Sequence, residues 1–312
     1  MDKSSDALYE KSLIRPEELA HVVHLTHLVT PQSIYHLRLG FASLASKPYT
    51  SKWYVWAVWP VTCCSTMLTW TYSRTFILER NQFNKVNVQT WVVPKFKIQG
   101  DELNGYGELY IHRNPKLKIK VVDGSSLVVA VVLNSIPKGT TQVLFRGNLT
   151  KVAYFIASAL CQMGIQVATS HKDEYEQLNT NLKNVERESK LLLSKSFTEK
   201  IWLVGDGLTK EEQMKASKGS LFIPFSQFPP KRLRKDCLYH TTPAMMPPKS
   251  FQNIDSCENW LPRRAMSASR VAGVIHALEG WNVHECGNTM FNIEKIWEAS
   301  LHHGFRPLTI PT

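Results

Sequence analysis

The sequence of 312 residues predicts an α/β protein with two parts. Residues 1–99 are expected to form a helical, membrane-associated segment, and residues 100–312 an α/β domain built on a parallel sheet. Two observations support this division. Strand-like and helix-like apolar patterns alternate after residue 100, whereas the earlier part contains a run of 21 residues without a charge, Trp53–Ser73. The length is sufficient for about two domains.

One β-α-β unit defines the second part. Gln142–Phe145 and Ile165–Ala168 are short apolar runs of the strand type, and Lys151–Met163 between them places its apolar residues on one helical face. Two strands joined through a helix pair in parallel with a right-handed crossover. Further apolar runs at Ile201–Val204 and Leu221–Pro224 extend the same sheet. The domain is therefore predicted to be Rossmann-like.

The remaining elements are predicted from shorter signals. Leu109–Ile111 and Lys118–Val122 have strand composition, and Glu174–Leu193 is predicted to be a helix. Ser267–Leu278 is a clear amphipathic helix with Gly280 as its stop. Residues 16–47 are also predicted to be helical, with a break at a proline.

The turn after the first strand of the β-α-β unit is a candidate phosphate site. Gly147, Asn148 and Thr150 place backbone amides at a helix N-terminus, where an anion is stabilised. The full G-x-G-x-x-G pattern is absent, and no acidic residue closes the next strand, where His171, Lys172 and Asp173 stand instead. A structural turn without a cofactor is therefore preferred.

The uncharged run Trp53–Ser73 has the length of about 20 residues that a helix needs to cross a bilayer, with aromatic residues at both ends. Pro60 and several threonines lower its hydropathy, so a buried or interfacial helix is the alternative. The net charge of +11 calls for an acidic partner. We expect a membrane surface rather than nucleic acid, because no nucleic-acid-binding motif occurs.

Two groups of residues could bind a metal or act as a nucleophile. His21, His24 and His27 repeat every third residue, but no further ligand follows at a recognisable spacing, so a metal site is not predicted. Cys286 lies within His284–Gly287, where core packing or a turn is preferred over catalysis. The six cysteines show no C-x-x-C spacing, and the N-terminus shows no signal peptide, which favours reduced thiols facing the cytosol.

Several long blocks of the sequence resemble the plant eceriferum/Glossy-type family of very-long-chain aldehyde decarbonylases. The resemblance covers nearly the whole chain. The blocks that carry it are DALYEKSL, HVVHLTHL, SIYHLRLGFASLAS, ERNQFNK, GNLTKVAYFIASALCQ, FIPFSQFP, SCENWLPRRAMSASRVAGVIHALEGW and HECG.

This resemblance implies a function in cuticular wax biosynthesis at the endoplasmic reticulum membrane. The family is implied to convert very-long-chain aldehydes to alkanes, with iron held by histidine clusters of its membrane-embedded N-terminal half. Implied partners are a paralogous wax-synthesis subunit and cytochrome b5. The second part of this chain is implied to be the family's Rossmann-like C-terminal domain, on the cytosolic side.

The sequence departs from the family pattern in two ways. It is expected to start beyond the last iron-binding cluster, so no catalytic residue, metal ligand or cofactor is assigned to this chain. Some tens of residues are expected to be missing between Pro94 and Gly100. We therefore expect the chain to be inactive alone. The alternatives are a binding or regulatory module that docks on the full-length enzyme or its paralogous partner, and a reductase that uses the Gly147 turn.

Overall fold

The fold is seen in a computed structural model of the chain. The structure describes residues 22–27, 76–84, 86–93, 108–116, 119–182, 191–194, 196–252, 254, 258 and 260–308.

A six-stranded, entirely parallel sheet organises the chain after residue 140. Its strands are β4 (Gln142–Arg146), β5 (Gln166–Thr169), β6 (Leu191–Leu193), β7 (Ile201–Val204), β8 (Leu221–Pro224) and β9 (Leu238–Tyr239). They lie side by side in the order β6-β5-β4-β7-β8-β9. Counted along the chain, this order is 3-2-1-4-5-6, so the sheet is extended first in one direction from β4 and then in the other. The predicted α/β class with a parallel sheet is confirmed.

Helices accompany the strands. They are α1 (Glu108–Arg113), α2 (Ser125–Ser135), α3 (Lys151–Gln162), α4 (Lys172–Leu182), α5 (Lys210–Lys215), α6 (Ala268–Leu278) and α7 (Ile293–His302). The predictions of α3, and of α6 with its stop at Gly280, are confirmed. Both helices bury an apolar face whose residues recur at helical spacing.

Successive residues of strand β4 pack into two separate hydrophobic cores, one on each face of the sheet. Val143 and Phe145 of β4 pack with α2 and α3 on one face of the sheet. Leu144, between them in sequence, packs on the other face with Trp202 and Phe222. This alternation is the period of two that an extended chain imposes. The sheet is therefore covered on both faces, as parallel sheets generally are.

A third core lies beside the sheet and joins α2, α6 and α7 to an earlier hairpin. The hairpin consists of β2 (Phe76–Phe83) and β3 (Val86–Val93), and β1 (Val22–His27) pairs with β3 in parallel. Phe83 stacks on Phe251 with ring centroids 5.0 Å apart. The hairpin is thus part of the same packed body as the C-terminal helices.

A small antiparallel sheet is formed by three short strands, β10 (Ala244–Met246), β11 (Met266–Ser267) and β12 (Arg306–Pro307).

Several predicted elements were wrong. Val22–His27 is a strand, not part of a helix, because its β-branched residues suit an extended chain and β3 supplies a pairing partner. The helical prediction for residues 1–99 also fails at the β2–β3 hairpin. Leu109–Ile111 lies in helix α1, since three apolar residues do not distinguish the two periodicities. The predicted helix Glu174–Leu193 ends at Leu182, and strand β6 occupies its last three positions.

The predicted strand Lys118–Val122 is reduced to a single parallel bridge between Val122 and Glu285 among its described residues. The membrane candidate Trp53–Ser73 lies outside the described residues. Across the ranges that the structure does describe, no helix combines the length and the apolar character needed to cross a bilayer.

Candidate functional site at the carboxyl edge of the parallel sheet

The predicted phosphate-binding turn lies between β4 and α3, at the carboxyl edge of the sheet. Thr150 is the N-cap of α3, and its hydroxyl oxygen accepts a hydrogen bond from the amide of Ala153 at 3.4 Å. Gly147 has a φ of 132°, which a residue with a side chain rarely adopts. The structure therefore confirms that Gly147, Asn148 and Thr150 form a strand-to-helix turn.

A second loop closes this turn. A Cβ atom on Gly147 would lie 2.7 Å from the Cα atom of Gly205, which follows β7. The amide of Asn148 donates to the carbonyl of Asp206 at 2.7 Å, and the amide of Gly205 donates to the carbonyl of Arg146 at 2.8 Å. Strands β4 and β7 are the neighbours at which the strand order reverses, where doubly wound sheets bind their ligands. Here the two loops meet by direct backbone contact.

An ion-pair network fills the same edge on the side of β5. Arg146, the last residue of β4, pairs with Glu174 of α4 and with Glu212 of α5, the latter at 2.5 Å between Nε and Oε1. His171 approaches the same Glu212 oxygen at 2.8 Å. The hydroxyl of Thr169 donates to Glu174 at 2.9 Å. The side chains of Arg146 and Glu212 are only 11% and 8% exposed, whereas that of His171 is 47% exposed, so water reaches the network at His171.

The carboxylate of Glu212 is held ionised by this network. Burial opposes ionisation, but hydrogen bonds from Arg146, from the backbone of Thr209 and from His171 outweigh it and lower the pKa of Glu212 to about 2. Thr209 and Glu212 also form a capping box at the start of α5. Glu212 therefore holds two elements at once, the end of β4 and the N-terminus of α5.

These residues do not fit a dinucleotide. A dinucleotide needs open backbone amides at the turn and an acidic residue free for the ribose at the end of the second strand. The turn is closed by Gly205 and Asp206, and the strand end carries Thr169, which is bonded to Glu174. Arg146 is bonded to Glu174 and Glu212, and Glu212 is bonded to His171. The arrangement can fix three strands and two helices.

A second polar cluster caps helix α2 and explains the His284–Gly287 segment. Asp123 accepts from the amide of Ser125 at 2.9 Å, and Glu285 accepts from the amide of Ser126 at 2.7 Å. Lys151, the first residue of α3, donates to Asp123 at 2.8 Å. Two carboxylates thus bond the free amides at the start of α2, where negative charge is favoured.

Burial sets the protonation of this cluster. It raises the pKa of Asp123, although Lys151 opposes the shift. For Glu285 burial is outweighed by nearby His276 and by Ser126, and the pKa is lowered. Burial, with the charge of Asp123, raises the pKa of the Cys286 thiol. Because the thiolate is the nucleophile, this shift disfavours nucleophilic chemistry at Cys286, which is buried.

The described histidines do not fit an iron centre that activates oxygen. His24 and His27 lie in strand β1, so the helix on which their spacing argument rested is not formed there. His171 is bonded to Glu212, and the ring of His284 accepts from the amide of Val121. In the part of the chain that the structure covers, one cluster of three potential ligands occurs, and it lies at the surface. Oxygen chemistry requires a dry, shaped cavity around the metal.

Sequence reasoning missed the members of both networks. Arg146 and Glu212 are 66 positions apart, and Ser125 and Glu285 are 160 apart. Some contacts are local: the Thr209–Glu212 capping box has a sequence signature, a threonine followed three residues later by a glutamate, and Asp123 accepts from Ser125 two residues later. The long-range pairs could be found only once the strand order was known.

The fold and this edge define a class: an α/β domain with a doubly wound parallel sheet whose ligand-binding edge is closed by its own side chains and loops. Comparison with known proteins then gives the family. Residues 143–307 match the family described as CER1-like, C-terminal domain, and the chain belongs to that family. The expected resemblance is confirmed.

Relatives match over the whole chain. The protein named Very-long-chain aldehyde decarbonylase CER1 from Arabidopsis thaliana is 50% identical, over 100% of this chain and 56% of its own length. Very-long-chain aldehyde decarbonylase GL1-5 of Oryza sativa subsp. japonica is 47% identical over 99% of the chain and 56% of its own length. Protein CER1-like 2 of Arabidopsis thaliana is 47% identical over 100% of the chain. The chain therefore spans just over half the length of these relatives.

The comparison with the first Arabidopsis protein covers 351 positions, which is 39 more than the 312 residues of this chain. Solved structures are more distant. L-tryptophan dehydrogenase from Nostoc punctiforme covers 90% of this chain and 76% of its own chain, with 11% identity and a TM-score of 0.34. A mitochondrial ornithine carbamoyltransferase from Coccidioides immitis has a TM-score of 0.27, covering 47% and 59%. At these TM-scores, neither structure supports an inference about this chain.

Proposed function

We propose that this chain acts as the C-terminal domain of a system that converts very-long-chain aldehydes to alkanes in cuticular wax biosynthesis, and that it forms no alkane by itself. The supporting observation is the 50% identity, over the whole chain, to a protein named for aldehyde decarbonylation. Oxygen-dependent cleavage needs a redox metal, and neither H-x-x-x-H nor H-x-x-H-H occurs in this sequence. The iron chemistry is therefore assigned to the part of the relatives that this chain does not match.

We further propose that the domain is a Rossmann-like scaffold without a nucleotide. The strand order 3-2-1-4-5-6 is that of the dinucleotide-binding folds. The proposal that no nucleotide binds is supported by the closed edge of the sheet, where Gly147 contacts Gly205 and Arg146 is bonded to two glutamates. This favours a structural role over the reductase alternative.

The proposed setting is the endoplasmic reticulum membrane, with the α/β domain on the cytosolic side. Its support is the uncharged run Trp53–Ser73 and the net charge of +11, which favours an anionic lipid surface. A membrane also suits a substrate as insoluble as a very-long-chain aldehyde. The proposed partners are the paralogous wax-synthesis subunit and cytochrome b5, as the family resemblance implies.

A domain exchange tests the proposed function. In a host that makes very-long-chain aldehydes, the matching part of an Arabidopsis or rice relative is replaced by this chain, and alkanes are measured by gas chromatography. We expect the chimera to form alkanes, and both the relative without that part and this chain alone to form none. A chimera that accumulates to the level of the intact relative but forms no alkane would refute the proposal.

The docking alternative has its own supporting observation. Among the residues that the structure describes, strand β6 is an edge strand of the large sheet, and its Leu192 and Leu193 are exposed at 38% and 41%. An exposed apolar edge strand offers unpaired backbone groups to a second chain. If this edge docks on the full-length enzyme, Leu192→Lys with Leu193→Lys abolishes co-purification with it. Leu238→Lys, on the opposite edge strand β9, is the matched control and leaves co-purification unchanged.

A further inference from the structure

The C-terminal ends of α6 and α7 meet at the surface and bring together one carboxylate and two imidazoles. Glu279 is the C-cap of α6, His302 is the last residue of α7, and His303 is its C-cap. One ligand atom from each of the three side chains lies within 4.8 Å of the other two. The Nε2 atom of His303 is 2.7 Å from Oε1 of Glu279. This hydrogen bond joins only two of the three groups.

Two equivalent caps hold the backbone of this cluster. The amides of Gly280 and Trp281 donate to the carbonyls of Ala277 and His276, which closes α6 in a Schellman motif. The amides of Gly304 and Phe305 close α7 in the same way, on the carbonyls of Leu301 and Ser300. Glu279 and His303 therefore occupy the same position at the ends of two helices, immediately before a glycine with positive φ.

The electrostatics of the cluster favour a cation. Each helix presents the negative end of its dipole at its C-terminus, and both helices end here. The carboxylate of Glu279 adds a full negative charge. All three side chains are exposed or half-buried, so an ion can enter from solvent. Imidazole nitrogen and carboxylate oxygen are the ligands that zinc accepts, together with water in a fourth position.

The distances are compatible with such an ion. With zinc–ligand bonds of about 2.0–2.1 Å, neighbouring ligands of a tetrahedral site lie about 3.3 Å apart. The closest pair here, at 2.7 Å, would open slightly, and the widest separation, at most 4.8 Å, would close by about 1.5 Å. The required shifts are therefore about 0.6 Å for the closest pair and at most about 1.5 Å for the widest.

We propose that Glu279, His302 and His303 bind one zinc-class divalent ion, which joins the C-termini of α6 and α7. Because its ligands come from the ends of two helices, the ion would have a structural role, distinct from the oxygen chemistry of the family. The proposal does not depend on the proposed function, because it concerns only the packing of two helices of this domain.

Zinc binding by the intact chain, freed of any affinity tag, tests the proposal. Isothermal titration with zinc chloride at neutral pH is expected to give one ion per chain, and the ion is expected to raise the melting temperature. His302→Ala and Glu279→Gln each weaken binding at least about tenfold, since even the loss of an outer partner of a ligand costs that much. They also lose the rise in melting temperature.

A second histidine–glutamate pair supplies the matched control. His112 and Glu108 lie 3.6 Å apart on α1 in an exposed pair, outside this three-ligand cluster. His112→Ala is expected to leave zinc binding unchanged. Melting temperatures without metal show whether each variant is folded, as expected for exposed positions. The proposal would be overturned if the intact chain bound no zinc, or if a folded His302→Ala variant bound zinc as tightly as the intact chain. Glu279 and His303 would then form an ordinary ion pair.

Discussion

Replacing Gly147 with alanine tests whether the edge of the sheet is closed as described. The new Cβ atom would lie 2.7 Å from the Cα atom of Gly205, a backbone atom that cannot rotate away. The φ of 132° adds a conformational cost for any residue with a side chain. We expect about 1–2 kcal/mol from the dihedral angle and about 1–3 kcal/mol from the forced separation of the two loops. The total is about 3 kcal/mol of lost unfolding free energy.

Gly139→Ala separates the two contributions. Gly139 also has a positive φ, of 83°, but a Cβ atom there meets nothing within 4 Å. Both variants gain the same stabilisation from a less flexible unfolded chain, about 0.4–1 kcal/mol, so this effect cancels between them. Gly139→Ala should therefore lose about 1 kcal/mol or less.

Thermal unfolding followed by circular dichroism is the assay. Each kcal/mol lowers the melting temperature by about 2–4 °C in domains of about 150–250 residues, so Gly147→Ala should melt several degrees below Gly139→Ala. Equal melting temperatures for the two variants would refute the close contact of the two loops. So would a stable Gly147→Ala protein that had lost affinity for a nicotinamide dinucleotide, because the turn would then be a binding site.

Three further predictions concern the ionisation of Glu212, the binding of nicotinamide dinucleotides and the association of the chain with membranes. Because hydrogen bonds lower the pKa of Glu212 from 4.5 to about 2, its ionisation stabilises the folded state above pH 4.5, and this stabilisation is lost as the pH falls towards 2. Glu212→Gln should reduce the unfolding free energy at neutral pH by about 1–2 kcal/mol, less than the pKa shift alone implies, because solvent screens part of the interaction. Urea titrations should show the difference between the two proteins shrinking in acid. Nicotinamide dinucleotides should show no saturable micromolar binding by calorimetry; saturation would favour the reductase alternative. The intact chain should sediment with microsomes and resist carbonate extraction. Replacing Val58 and Met67 with lysine should release it, because each charge at the centre of the segment raises the free energy of membrane insertion by about 2.5–3.5 kcal/mol. Recovery of the unaltered chain in the soluble fraction would contradict membrane association.

The parts of the fold that the sequence predicted correctly are those with local signals. The unit from β4 to β5 combines two apolar runs, an amphipathic helix and a glycine stop at Gly164, whose φ is 80°. Helix α6 is equally clear. Val22–His27 and Leu109–Ile111 were misassigned because tertiary partners decided them: β3 pairs with the first, and the second is too short for its periodicity to be read.

The candidate site was only partly predictable, for the same physical reason. Gly147 has a local signature, since a glycine between a strand and a helix indicates a special backbone geometry. The turn is closed by Gly205, which directly follows β7, the strand that pairs with β4 in the sheet. Likewise, Glu279 and His303 are 24 positions apart and meet only because two helices end together. Such contacts depend on topology, which spacing along the chain does not reveal.

The proposal that this chain forms no alkane by itself can be tested directly. The most direct measurement supplies the purified chain with a very-long-chain aldehyde, oxygen and a reductase system, and measures both alkane and bound iron. We expect no alkane above the rate without protein and no stoichiometric iron. Alkane formed by the isolated chain, with iron that His24→Ala and His27→Ala variants lose, would contradict the claim and locate the active site in the N-terminal part of this sequence.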